Sequence, residues 1–281
     1  MPRKPTISLV GAGRVAQALG PALRRAGYRI LEVVARERAA SRARARRLAR
    51  RVGARATTMT DAQLDASLIW LAVSDDAIAD CARELAHRSG WKGKIALHSS
   101  GALPSDRLAP LRRRGAAVAS LHPLMTFVRG SAPELRGVCF AVEGDARAVR
   151  TARRIARDLG GNVLPIRMRD KALYHAWGMF TSPLLVAVLA LGERVGRKAG
   201  VQHPARAAQA ILRQTLKNYL EAGAAAAFSG PLVRGDVATV RANLRALKSL
   251  PEARQAYLAL ARAAQRDLPA RHRGELMKLL K

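Results

Sequence analysis

The sequence predicts an α/β fold, a parallel, doubly wound sheet over residues 1–167 followed by an all-helical domain over 168–281. Three observations carry this. The first half alternates short β-branched apolar runs with segments whose apolar residues recur at i, i+3 and i+4, such as Val15-Ala18-Leu19-Ala22-Leu23, the pattern of strands joined by covering helices. A glycine-rich turn separates the first run from the first helix. After Ile166 no convincing strand remains. A length of 281 residues fits roughly two domains at about 150 residues each, and 49% apolar content supplies core material.

In chain order, the candidate strands are Thr6–Val10, Ile30–Ala35, Leu68–Val73, Lys94–His98, Ala116–Leu121, Val138–Glu143 and Asn162–Ile166. They are near-continuous apolar runs, as strands covered on both faces are. One long helix is expected over Leu173–Ala199, kinked at Pro183, because a proline inside a helix removes a donor and clashes with the preceding turn. Further helices are expected at Pro204–Ala227, Asp236–Leu247, Pro251–Arg266 and Arg271–Leu280, with Asp236 as a helix cap;.

The first turn carries the strongest motif. Gly11-Ala12-Gly13-Arg14-Val15-Ala16 follows a strand and opens a helix, the context in which G-x-G-x-x-A binds a dinucleotide. Gly11 permits the tight turn, Gly13 lets backbone approach a pyrophosphate, and Ala16 keeps helix and strand packed. The helix N-terminus then presents free N–H groups to the phosphates.

The second strand ends Val33-Val34-Ala35-Arg36. An NAD site places Asp or Glu there for the ribose hydroxyls. Arg36, with Arg38 and Ser41 close by, suits a 2′-phosphate instead, since guanidinium binds phosphate oxygens bidentately. NADPH is therefore expected over NADH. Glu32 and Glu37 stand close enough to compete with that reading.

In such a sheet the site lies beyond the carboxyl ends of the strands. In Val73-Ser74-Asp75-Asp76, the first expectation is that Ser74 or Asp75 caps the next helix, and the Ser74 backbone is also expected to border the cofactor ribose;. His98 and Ser99, in His98-Ser99-Ser100-Gly101, are expected beside the nicotinamide. His122 follows the next strand, and Lys171 and His175 share one face of a helix start;. Reduction of C=O or C=N needs a proton, and Lys, His and Tyr can supply one. Lys171 and His175 are the expected donors, with His122 orienting substrate.

The charge is strongly basic, +30, from 50 Lys and Arg against 20 Asp and Glu. Eight arginines fall between Arg36 and Arg51. Cations run through every segment and aromatics are 4%, whereas a nucleic-acid module clusters its charge and interleaves stacking rings. A dedicated nucleic-acid role is disfavoured. Two cysteines, Cys81 and Cys139, are too few for a disulfide framework. No signal segment precedes Thr6-Ile7-Ser8, and the longest apolar run, Leu184–Leu191, falls far short of the roughly 20 residues of a bilayer span. A cytoplasmic protein without a membrane partner is expected. No zinc-ligand spacing and no G-x-S-x-G elbow is present;.

The chain resembles the Rossmann-like family containing the domain of unknown function 2520, related to pyrroline-5-carboxylate reductase, 6-phosphogluconate dehydrogenase and the deazaflavin-coenzyme-dependent NADP oxidoreductases. The matching pieces are the Gly11–Ala16 turn, Ala72-Val73-Ser74-Asp75-Asp76-Ala77-Ile78, His98-Ser99-Ser100-Gly101-Ala102-Leu103, Leu121-His122-Pro123-Leu124-Met125-Thr126-Phe127, Leu173-Tyr174-His175-Ala176 and Gly230-Pro231-Leu232-Val233-Arg234-Gly235-Asp236. The resemblance implies a helical domain like that of 6-phosphogluconate dehydrogenase, a homodimer through its helices and an NADP-linked oxidoreductase. It also aligns Lys171-Ala172-Leu173-Tyr174-His175 with the Lys-x-x-Asn-Asn helix that carries the catalytic lysine of related dehydrogenases. Thr181-Ser182-Pro183 stands where Ser-Asn is usual, and Asn243 where His is common. The expected activity is NADPH-dependent reduction of a small, carboxylate-bearing keto or imino compound. The alternatives are a non-catalytic NADP(H)-binding regulatory protein and a basic nucleic-acid-associated protein.

Overall fold

The computed structural model describes residues 3–128, 130 and 133–281. The chain divides into two compact units, Met1–Met179 and Phe180–Lys281.

The first unit alternates strands and helices: β1 (Ile7–Val10), α1 (Arg14–Arg25), β2 (Ile30–Ala35), α2 (Ala39–Val52), β3 (Arg55–Thr58), β4 (Leu68–Leu71), α3 (Asp75–Ala86), β5 (Ile95–His98), α4 (Ala109–Arg113), β6 (Ala117–Pro123), β7 (Cys139–Gly144), α5 (Ala146–Asp158), β8 (Asn162–Pro165) and α6 (Lys171–Thr181). The sheet order is β3-β2-β1-β4-β5-β6-β7-β8. The strand order reverses beside β1, which opens a crevice at the carboxyl ends of β1 and β4. Alternate residues of β1 feed two cores: Ile7 and Leu9 pack with Leu19 and Leu23 of α1, while Val10 packs with Ile69 and Ile78.

Three features depart from the sequence expectation. β3, Arg-Ala-Thr-Thr, went unrecognised because it carries no apolar run; edge strands tolerate such polarity. β6 and β7 pair antiparallel in an otherwise parallel sheet, a direction that strand composition does not encode. The division between units falls at 179/180 rather than 167/168, since Lys171 and Tyr174 of α6 are buried and bond to β6 side chains.

The second unit holds α7 (Pro183–Lys198), α8 (Pro204–Ala207), α9 (Gln209–Ala227, broken at Gly223), α10 (Pro231–Arg234), α11 (Val237–Ala246), α12 (Pro251–Asp267) and α13 (Arg273–Leu279). Val240, Leu244, Ala261, Leu276 and Leu280 form its small core. Asp236 caps α11, accepting the Thr239 amide at 3.0 Å. The expected long helix is interrupted at Ser182, beside Pro183. No residue of α7 or α9 is buried, and Val186, Ile211 and Leu220 are 62%, 68% and 72% exposed. Residues Met168–Lys198 have the length and apolarity of a membrane-spanning segment. This holds by length and composition alone: Gly178, Thr181, Ser182 and Gly192 punctuate the stretch, and the helix breaks at Ser182.

Candidate functional site

β1 ends in a turn that only glycine can make. Gly11 has φ +102°, and a Cβ on it would lie 2.6 Å from the Ala72 carbonyl oxygen. Its amide donates to Val34 O at 2.8 Å, tying the turn to β2. Gly13 differs. It is the exposed, extended N-cap of α1, and a Cβ there would meet only Ala72 O, at an ordinary 3.8 Å. The protein leaves open space in front of Gly13, which suits a phosphate approaching the backbone. Ala12 and Ala16 are buried, Val15 is half-buried, and Arg14 projects into solvent from the first turn of α1. That turn has no acidic residue, so the positive end of the helix dipole faces the turn uncompensated.

In front of the turn lies a cavity of about 490 Å³ lined by Gly11, Gly13, Arg36, Ser41, Arg44 and Ser74, among others. Arg44 Nη2 donates to Ser41 Oγ at 3.2 Å. The α3 side adds Asp76, Asp80, Cys81 and Glu84. The Ser74 hydroxyl and, more weakly, Arg36 hold the Asp76 carboxyl below its ordinary range. Ser74 occupies the N-cap position of α3 without a side-chain capping bond. Burial and Glu84 push the Cys81 thiol up to about 12.

Glu32 is not available to a ribose. It is 4% exposed, accepts the amides of Gln63 and Leu64 at 3.1 and 2.9 Å, and pairs with Arg55. Burial alone would raise its carboxyl; the two amides and Arg55 outweigh that and hold it low. Glu37 engages Thr60 and Arg42.

A second network joins the ends of β5 and β6 to α6. The Lys171 side chain is essentially enclosed, 1% exposed, and its ammonium donates to Ser100 O at 2.7 Å and Ser120 Oγ at 2.6 Å. Burial lowers its pKa to about 8, against the pull of Glu143 and Asp75. Glu143 accepts the amide and hydroxyl of Ser105, both at 2.7 Å. Ser100 Oγ donates to Asp75 Oδ2 at 2.8 Å and accepts the amides of Ala102 and Leu103 at 3.2 and 2.9 Å. Asp75 adjoins Ser74, so the network reaches the lip of the cavity through one hydrogen bond.

His122 Nδ1 lies 2.7 Å from Tyr174 Oη. Burial, then the Lys171 charge, lowers the His122 pKa to about 3, and burial raises that of Tyr174. Both side chains are therefore neutral, and they share one hydrogen bond between His122 Nδ1 and Tyr174 Oη. The other edge of the ring faces Gly101, where a Cβ would lie 2.8 Å from His122 Nε2 and 3.0 Å from His175 Cδ2. Gly101 is bare so that both rings fit.

The sequence-predicted residues thus fall into two groups. Gly11, Ala12, Gly13, Arg36 and Ser74 line the cavity. Lys171, His122 and His175 gather around Ser100 and Gly101. His98 departs from expectation. It is 0% exposed, its Nδ1 accepts the Ser100 amide at 3.2 Å, and its Nε2 donates to Pro104 O at 3.2 Å. With both nitrogens engaged it braces the loop after β5 rather than facing a cofactor. Ser99 Oγ likewise accepts the Trp70 indole N–H at 2.8 Å. Sequence reasoning missed Tyr174, Ser100 and Ser120; only Tyr174, beside His175 in the helix start, carried a readable signal.

Residues 2–123 match the family model of a Rossmann-like domain, and residues 138–264 match that of the domain of unknown function 2520. The resemblance read from the sequence is borne out in both parts. Protein BF3122 of Bacteroides fragilis is 23% identical, with a TM-score of 0.76 over 92% of this chain and 97% of its own. The pyrroline-5-carboxylate reductase of Coxiella burnetii is 15% identical, at 0.59 over 93% and 98%. The imine reductase of Myxococcus stipitatus, solved with NADP+, is 17% identical, at 0.58 over 92% and 91%. At such identities the likeness is one of fold. No curated protein matches the chain in sequence.

Proposed function

We propose that this chain is an NADPH-dependent oxidoreductase that reduces the C=O or C=N bond of a small, carboxylate-bearing compound. The observation that carries the reading is Gly13, a bare, exposed helix N-cap with open space before it. The Gly11–Ala16 turn holds the pyrophosphate through backbone amides. Arg36 and Ser41 receive the 2′-phosphate at a strand end where Glu32 is committed to Gln63, Leu64 and Arg55, and Glu37 to Thr60 and Arg42. The imine reductase of like fold is solved with NADP+, and BF3122 is named as a candidate NADP oxidoreductase.

The nicotinamide cofactor supplies the hydride. The chain's residues hold and move the proton. In this reading the Tyr174 phenol is the donor in its bond to His122 Nδ1, and the imidazole then carries its proton on Nε2, the edge that borders Gly101 and His175. Lys171, bonded to Ser100 O and Ser120 Oγ, is a positioning residue that clamps α6 to the loop after β5. In the second unit, the exposed apolar side chains of α7 and α9 mark an interaction site, and we assign it to the homodimer that the family resemblance implies.

The test is a thermal-shift titration with NADPH and NADH, followed by NADPH oxidation over keto acids and cyclic imines. A nucleotide that binds the folded state raises its melting temperature with concentration. Absence of any shift at millimolar NADPH and NADH overturns the proposal. Binding without turnover over the whole panel favours the non-catalytic regulatory reading.

A further inference from the structure

Of the eight arginines between Arg36 and Arg51, Arg36 and Arg44 line the cavity before the Gly11–Ala16 turn and the others stand outside it. Arg44, Arg47 and Arg51 stand at i, i+3 and i+7 of α2, on one helical face;. With Arg14 of α1 they line an open groove of about 1110 Å³. Among the described residues no acidic one lines it, whereas three line the neighbouring cavity. Among the described residues none of the four forms an ion pair, although Arg42 on the same helix pairs with Glu37. A basic composition scatters cations over a surface. It does not require four unpaired guanidinium groups to share one concavity, where they repel each other. A cleft lined by one sign of charge concentrates counter-ions.

We propose that this groove is a second anion site, beside the dinucleotide cavity, and that it takes a linear oligophosphate. The groove shares Ala12, Gly13 and Arg44 with the cavity, so the two sites adjoin at the phosphate turn. From Arg44 to Arg51 the helix rises roughly 10 Å, a span suited to a chain of a few phosphates. The fork of each guanidinium binds phosphate oxygens in pairs. Nucleic acid fits less well. Among the described residues that line the groove there is no aromatic ring on which a base could stack;.

The test titrates tripolyphosphate into the full chain by calorimetry, with and without saturating NADPH. Saturable one-to-one binding that persists beside NADPH is expected. The double variant R47E/R51E, exposed at both positions, should weaken it about tenfold or more while NADPH affinity stays within about twofold. The milder R47Q/R51Q should weaken it in the same direction if the charge reversal impairs folding. The charge-matched R46E/R50E, outside the groove, should bind as the wild type does. Four results overturn the site: no binding, simple competition with NADPH, equal loss in both charge-reversed variants, or tighter binding of single-stranded DNA than of tripolyphosphate at physiological salt. The charge-reversal comparison needs no NADPH, so failure of the oxidoreductase reading is seen separately.

Discussion

Tyr174 Oη sits 2.7 Å from His122 Nδ1, across 52 residues of sequence. The two rings meet edge to face, with centroids 5.6 Å apart. One bond therefore fixes the imidazole orientation. Tyr174→Phe keeps the packing and removes the bond. NADPH binding should be unchanged while turnover falls about 100-fold, the scale of a lost general acid–base contribution. Unchanged turnover in steady-state NADPH oxidation would assign Tyr174 to packing alone.

Gly101 sets the space in which His122 and His175 meet. Gly101→Ala places a methyl group 2.8 Å from His122 Nε2, so a ring must move. Overpacking of this kind costs about 1–3 kcal/mol. Denaturant unfolding should register that loss, and turnover should fall further than stability alone accounts for. Wild-type stability in this variant would show that the loop yields freely.

The buried imidazoles make the fold acid-sensitive. His98 has a folded pKa near 3 against an ordinary 6.5. Between those values the unfolded chain binds a proton that the folded one refuses, so the stabilisation is full above pH 6.5 and is lost as pH falls toward 3;. His122 acts in the same direction. His98→Gln, which retains a donor for Pro104 O, should flatten the fall in unfolding free energy below pH 6.5. An equally steep fall in the variant would exclude His98 as its source.

Cofactor preference is assigned to Arg36, with Glu32 already occupied by Gln63, Leu64 and Arg55. Arg36→Ala should raise the NADPH Kd about tenfold, worth 1.4 kcal/mol, and leave NADH nearly unchanged. A parallel loss for both nucleotides would place Arg36 away from the 2′-phosphate.

Much of this was legible in the sequence because local chemistry dictates it. Gly11 needs a positive φ, Asp236 caps a helix, and apolar runs such as Leu68–Leu71 become buried strands. What was hidden depends on pairing at long range. Arg55–Thr58 is a strand because β2 offers it an edge, not because its residues favour one. Lys171 resembles a free proton donor until Ser100 and Ser120, 71 and 51 residues away, take its ammonium. His98 looks poised beside a cofactor until the Ser100 amide and Pro104 carbonyl fill its two nitrogens. Motif spacing locates such side chains without saying which of their atoms remain free.

The seat of the pyrophosphate is tested most directly by calorimetric NADPH titration of the wild type beside Gly13→Val. The added side chain meets no protein atom closer than ordinary contact at its Cβ, so folding should be retained. The wild type should bind NADPH, and the variant should lose about tenfold or more of that affinity at an unchanged melting temperature. Equal NADPH affinity in the two proteins would contradict that seat for the pyrophosphate.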